Sequence, residues 1–170
     1  MLSDEERAAI GAAVPPDGEP RTAVVDALTI VQRRRGWVSD EDVADVAEAL
    51  GMSAADVDDT ASFYSLIYRR PVGRHVILVC DSVVCWLTGH EDVLAHLTGR
   101  LGIGLGETTA DGTFTLLPVA CLGLCEEAPA MLVDDEPHTR LDGRRVDEIL
   151  ARYGWAPGQA EAALGGEGGE

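Results

Sequence analysis

The run His75 to Cys80, HVILVC, places the tightest limit on how this chain folds. It is continuously apolar and rich in β-branched residues, with no polar residue at alternate positions. A strand of that kind must be covered on both faces, which an α/β arrangement provides and a half-solvated antiparallel sheet does not. The surrounding pattern agrees. Val93, Leu94, Leu97 and Leu101 share one face of a helix, and Phe114–Val119 and Met131–Val133 read as further strands. Thr139–Leu141 is a weaker strand candidate, and Val146, Ile149, Leu150 and Tyr153 line a last helix. Pro118 lacks a ladder donor, so its strand belongs at an edge or at a bulge. The expectation is a small α/β domain over residues 73–155.

Upstream of the breaker-rich joint Arg69-Arg70-Pro71-Val72-Gly73 the period changes, and residues 1–72 read as a helical N-terminal region. Ser3 and Glu6 have capping-box spacing. Val24, Ala27, Leu28 and Val31 form an apolar face that ends near Gly36. Ser39 caps a helix carrying Val43, Val46, Ala47 and Leu50, and Ser53 with Asp56 opens a short fourth one. The stripes are narrow, so these helices either form a small bundle or, the favoured expectation, bury one side against something else. Arg33, Arg34 and Arg35 close the second helix, where positive charge meets the negative end of the helix dipole. Residues 156–170, rich in Gly, Ala and Glu, read as a flexible acidic tail.

Composition narrows the function classes. Thirty acids against thirteen bases, every one of them Arg, give a net charge of −17, which repels phosphate backbones and argues against nucleic acid as a partner. No apolar run approaches the roughly 18–20 residues that span a bilayer, so no membrane insertion is expected. The first residues, MLSDEERAAI, lack the basic-then-apolar layout of a signal peptide, and a soluble intracellular protein is the expectation.

The chemistry lies in four cysteines. Cys80 and Cys85 form a C-x4-C pair (CDSVVC), and Cys121 and Cys125 form a C-x3-C pair (CLGLC). Each pair begins where an apolar strand ends, the place where open α/β sheets put ligand sites. If the two strands lie side by side or one apart, four thiolates converge. Nothing directs the chain to an oxidising compartment, which disfavours disulfides. A redox dithiol would use C-x2-C, which is absent. Structural zinc remains open, although its knuckles are usually tighter. A 2Fe–2S cluster also needs four thiolates, around a larger core that suits the wider spacing.

The segment FYSLIYRRPVGRHVILVCDSVVCWLTGH, the motif CLGLCEEAPAM with Ala128-Pro129, and GWVSDEDVADVAEALGMS carry a resemblance. From about Gly36 to Tyr153 the chain is similar to the thioredoxin-like 2Fe–2S ferredoxin family, in the branch that serves as the E subunits of bacterial NADH–quinone oxidoreductases (respiratory complex I). The resemblance implies a thioredoxin-like domain behind a helical region, and one 2Fe–2S cluster ligated by Cys80, Cys85, Cys121 and Cys125. It implies single-electron exchange with FMN bound, like NADH, on an adjacent flavin- and NADH-binding subunit. A large multi-cluster iron–sulfur subunit would lie nearby, in a peripheral arm on the cytoplasmic face of the membrane. The chain itself would be an electron carrier, with no nicotinamide, flavin or quinone site. Equivalent subunits of NAD-linked formate dehydrogenases and hydrogenases share the motif, and a zinc-stabilised interaction module is the remaining alternative.

Other signals are weaker. Gly102, Gly104 and Gly106 have the wrong spacing for a dinucleotide loop and read as a turn. His75, His90, His96 and His138 share no ligand spacing and are expected to be structural or at the surface. Trp86 either shields the cysteine site, meets a partner or packs. Gly123 either lets backbone amides approach the cysteine site, the favoured reading, or only supplies a turn, while Asp81, Glu126 and Glu127 place negative charge beside both pairs. Phe63, Tyr64 and Tyr68 are expected to pack the helical region onto the α/β domain, with a partner interface as the second reading, and Asp134-Asp135 to be solvated.

Overall fold

The computed structural model describes residues 1–16 and 18–156, and the expected tail lies outside the described residues apart from Ala156. The chain forms two compact units, Met1–Pro71 and Val72 onward. No helix among the described residues is long and apolar enough to cross a membrane.

The first unit holds α1 (Asp4–Ala13), α2 (Val24–Arg35), α3 (Asp40–Leu50) and α4 (Ala54–Phe63). Their ends are set by the residues that the sequence offers for the purpose. Ser3 with Glu6 and Ser39 with Asp42 form reciprocal capping boxes, Ser53 accepts from the Asp56 amide, and Gly36 and Gly51 end their helices in the left-handed region. The apolar stripes do not wait for an outside surface. Ile10, Leu28, Val31, Val38, Val46 and Val57 converge on a core belonging to this unit, and burying each aliphatic side chain stabilises it by about 1.5–3 kcal/mol. Phe63 is 80 % exposed, and the ring of Tyr64 meets it edge to face.

Arg35 does more than complement a dipole. Its guanidinium reaches Glu6 at 3.3 Å, pairs with Asp42, and donates to the Met1 carbonyl. Glu6 and Asp42 are both 4 % exposed, and both are the third-position residues of capping boxes. One cation at the end of α2 therefore satisfies two buried carboxylates that already hold the starts of α1 and α3. The Ser3 backbone N–H, followed by its hydroxyl and Arg35, outweighs burial and holds the Glu6 carboxyl below its ordinary range. Next to it, Arg34 pairs with Glu5.

The second unit contains β1 (His75–Cys80), α5 (Val83–Leu87), α6 (His90–Leu101), β2 (Phe114–Val119), β3 (Met131–Val133), β4 (Glu136–His138) and α7 (Gly143–Arg152). The sheet order is β2-β1-β3-β4. β1 and β2 are parallel, joined through α5 and α6, whereas β3 runs antiparallel to β1 and to β4. Pro118 sits on the edge strand β2, where its missing donor costs no ladder bond. Ile77 and Val79, with Phe114, Leu116, Met131 and Val133, face Val93 and Leu97 of α6 and Val146, Ile149 and Leu150 of α7. The strand expected at Thr139–Leu141 instead falls at Glu136–His138, because the Asp134-Asp135 turn brings the chain straight back. Asp134 is not simply solvated. It takes φ +56°, accepts from the Val76 amide at 2.9 Å and meets His75 Nδ1 at 2.8 Å, so it clamps the hairpin to β1.

Two expected outcomes follow from these contacts. Arg35→Met leaves two buried carboxylates without their cation and should destabilise the helical unit by about 3 kcal/mol, read by urea unfolding; a parent-like midpoint would contradict the bridging role. His138 is 5 % exposed with no hydrogen-bond partner at Nε2 among the described residues, and burial holds its pKa below the ordinary value. The unfolded chain therefore protonates first on acidification, so stability is complete above the unfolded pKa of about 6.5 and falls as pH descends toward the folded value. His138→Leu should flatten that part of the stability–pH curve.

Candidate iron–sulfur centre

The parallel pairing of β1 with β2 decides where the cysteines go. Cys80, the last residue of β1, lies in register with Val119, the last residue of β2, and the Asp81 amide donates to the Val119 carbonyl at 2.8 Å. Cys121 follows two residues later, so the two cysteine loops leave neighbouring strands at the same end of the sheet. α5 begins three residues after Cys80 and carries Cys85 on its buried side. Cys80 and Cys85 are buried, whereas Cys121 and Cys125 are exposed, and all four are free thiols.

Electrostatics records the convergence. Cys80 and Cys85 are hydrogen-bond neighbours, Cys125 is a neighbour of Cys121, and Cys125 also senses Cys80 across the two loops. Burial raises the Cys85 thiol, and the adjoining Cys80 raises it further. At Cys80 burial pulls upward, but Ser82 and the Leu122 backbone N–H prevail and lower it. Desolvation, then Cys121, raises Cys125.

Backbone amides converge on the sulfurs as well. Gly123 N–H donates to Cys121 Sγ at 3.4 Å, Leu122 N–H faces the Cys80 sulfur, and Ala130 N–H faces that of Cys85. Gly123 has φ +74° with open space where a Cβ would stand, so the turn itself, rather than crowding, calls for glycine. N–H groups aimed at thiolate sulfurs are the usual means by which a protein stabilises an anionic iron–sulfur centre.

Four free thiols, with backbone amides directed at their sulfurs, are a donor set that fits a 2Fe–2S core.

The charges flanking the site are less free than their sequence positions suggest. Glu127 is paired with Arg140 at 2.6 Å and accepts from Thr139 Oγ1 at 2.9 Å, so its charge is compensated. Asp81 accepts from Trp86 Nε1 at 2.6 Å. The Trp86 ring stacks on His90, with centroids 5.7 Å apart. His90 is buried and donates from Nδ1 to the Cys80 carbonyl at 3.0 Å. Among the described residues it is the one histidine that bonds a cysteine of the site, and its place at the first residue of α6, four after Trp86, was the only sequence signal. His96 instead pairs with Asp147, which Arg100 also holds.

Comparison with known proteins agrees with this geometry. The sequence profile of the thioredoxin-like 2Fe-2S ferredoxin family matches residues 9–154. The E subunit of the NADH-quinone oxidoreductase from Pseudomonas aeruginosa is 50 % identical over 153 residues, covering 90 % of this chain and 92 % of that protein. Its counterpart from Escherichia coli K12 is 47 % identical, covering 89 % of this chain and 92 % of that one. Among solved structures, an NAD+-reducing NiFe hydrogenase in the H2-reduced state superposes with a TM-score of 0.65 at 29 % identity over 76 % of this chain. This chain spans only 22 % of that hydrogenase chain. With four thiols gathered at the ends of two parallel strands and a family profile matched over both units, the chain belongs to the thioredoxin-like 2Fe-2S ferredoxins.

Proposed function

We propose that this protein is the electron-transferring E subunit of an NADH–quinone oxidoreductase, with Cys80, Cys85, Cys121 and Cys125 ligating one 2Fe–2S cluster. The observation that carries the reading is the convergence of the two cysteine loops at the paired carboxyl ends of β1 and β2. A bound 2Fe–2S cluster supplies a one-electron couple. The protein's part is to hold four sulfurs, to direct amides of Leu122, Gly123 and Ala130 at three of them, and to bury Cys80 and Cys85 while leaving the other pair near the surface. Such a carrier gives and takes electrons singly, so it suits a flavin that receives a hydride from NADH and releases two electrons one at a time. In this reading FMN and NADH sit on the adjacent subunit, a large multi-cluster subunit lies nearby, and the assembly is a peripheral arm at the cytoplasmic face of the membrane.

The identities near 50 % over nine-tenths of the chain favour this assembly over the alternative that the hydrogenase likeness supports, an equivalent subunit of an NAD-linked hydrogenase. The surface by which the flavin subunit docks is the outer side of α5. Val83 and Leu87 are 75 % and 83 % exposed there beside Cys85, and apolar side chains left in water next to a redox centre gain most by being covered.

Anaerobic purification with metal analysis and electron paramagnetic resonance tests the proposal. About two irons per chain and a rhombic signal that appears only on reduction are expected; one zinc and no signal would overturn it. Each single Cys→Ser change should lower cluster occupancy or alter that signal, and a residue whose change leaves both at parent values is not a ligand. Leu87→Asp should reduce co-purification with the flavin subunit while retaining iron, whereas undiminished recovery would remove α5 from the interface.

A further inference from the structure

We propose that His90 is a positioning residue for the iron–sulfur centre: by donating to the Cys80 carbonyl it frees the Ala130 backbone N–H to serve the Cys85 sulfur. This rests on the four-cysteine reading above. In the antiparallel pair of β1 and β3, Cys80 lies opposite Ala130, and the Cys80 amide donates to the Ala130 carbonyl at 3.1 Å. Residues so placed ordinarily exchange both bonds, which would send the Ala130 N–H to the Cys80 carbonyl. Here that carbonyl takes His90 Nδ1 at 3.0 Å, and the Ala130 N–H faces Cys85 instead. A carbonyl only accepts, so Nδ1 carries the proton.

The imidazole is held in place on two further sides. Trp86 stacks on it at an interplanar angle of 17°, and Asp81 Oδ1, which takes the Trp86 Nε1–H at 2.6 Å, stands 3.8 Å from His90 Nε2. Asp81, Trp86 and His90 thus form a brace across the C-x4-C loop. The chain substitutes a side-chain donor for a ladder bond at the last position of β1, and the backbone donor so released goes to a ligand sulfur. N–H bonds to cluster sulfur raise the reduction potential, so losing this one should lower it.

The test compares His90→Asn with His90→Gln in the full chain, loaded anaerobically with iron and sulfide. Asparagine places its amide near the Nδ1 position and keeps the donor, whereas glutamine places it near Nε2 and does not. Redox titration followed by electron paramagnetic resonance should find His90→Asn near the parent. His90→Gln should shift the one-electron reduction equilibrium toward the oxidised form by up to about tenfold, or about 59 mV. Loss of cluster from His90→Gln alone would equally support the proposal. Parent potential and spectrum in both variants, or equal loss or equal shift in both, would overturn it. A parent protein that carries zinc would instead sink the reading on which it rests.

Discussion

Hydrogen bonding between the carboxyl ends of β1 and β2 is the constraint on which the site depends. Parallel pairing puts Cys80 level with Val119, and the ladder continues one step into the loop through the Asp81 amide. Had the strands been antiparallel neighbours, the two cysteine loops would leave opposite ends of the sheet. The parallel arrangement requires a crossover, and α5 and α6 supply it. α5 is therefore both part of the connection and the carrier of Cys85, so a single topological requirement also places one of the proposed ligands.

Around the four sulfurs the backbone is used differently from an ordinary sheet end. Amides of Leu122, Gly123 and Ala130 face sulfur, and side chains take over where ladder bonds are given up: His90 on the Cys80 carbonyl, Asp134 on the Val76 amide. Acids close to the cysteines are mostly occupied, Glu127 by Arg140 and Asp81 by Trp86. The local field therefore owes more to oriented amides than to the strongly negative net charge, much of which stands on exposed carboxylates that salt screens.

The helical unit shows the same double use of groups at another scale. Arg35 joins the ends of three helices through two carboxylates that double as capping groups. A basic run at a helix end suggested only dipole complementarity, because the sequence shows the cation without showing that Glu6, twenty-nine residues earlier, lies beneath it. The stripes of α2 and α3 looked too narrow to close a core for the same reason: each is narrow alone, and packing with α1 and α4 completes it.

Whatever short-range chemistry sets could be read along the chain. Ser3, Ser39 and Ser53 marked caps, Gly36 and Gly51 marked helix ends, HVILVC marked a buried strand, and two cysteine pairs after apolar runs marked the candidate metal site. The order of strands, the shift of β4 to Glu136–His138, and the parts played by Arg35, Asp134 and His90 were decided only in three dimensions. His75 and Asp134, fifty-nine positions apart, meet because β3 folds back onto β1. Capping and strand propensity depend on near neighbours and are written locally, whereas a buried charge or an unused carbonyl takes whichever partner the packed chain brings within reach.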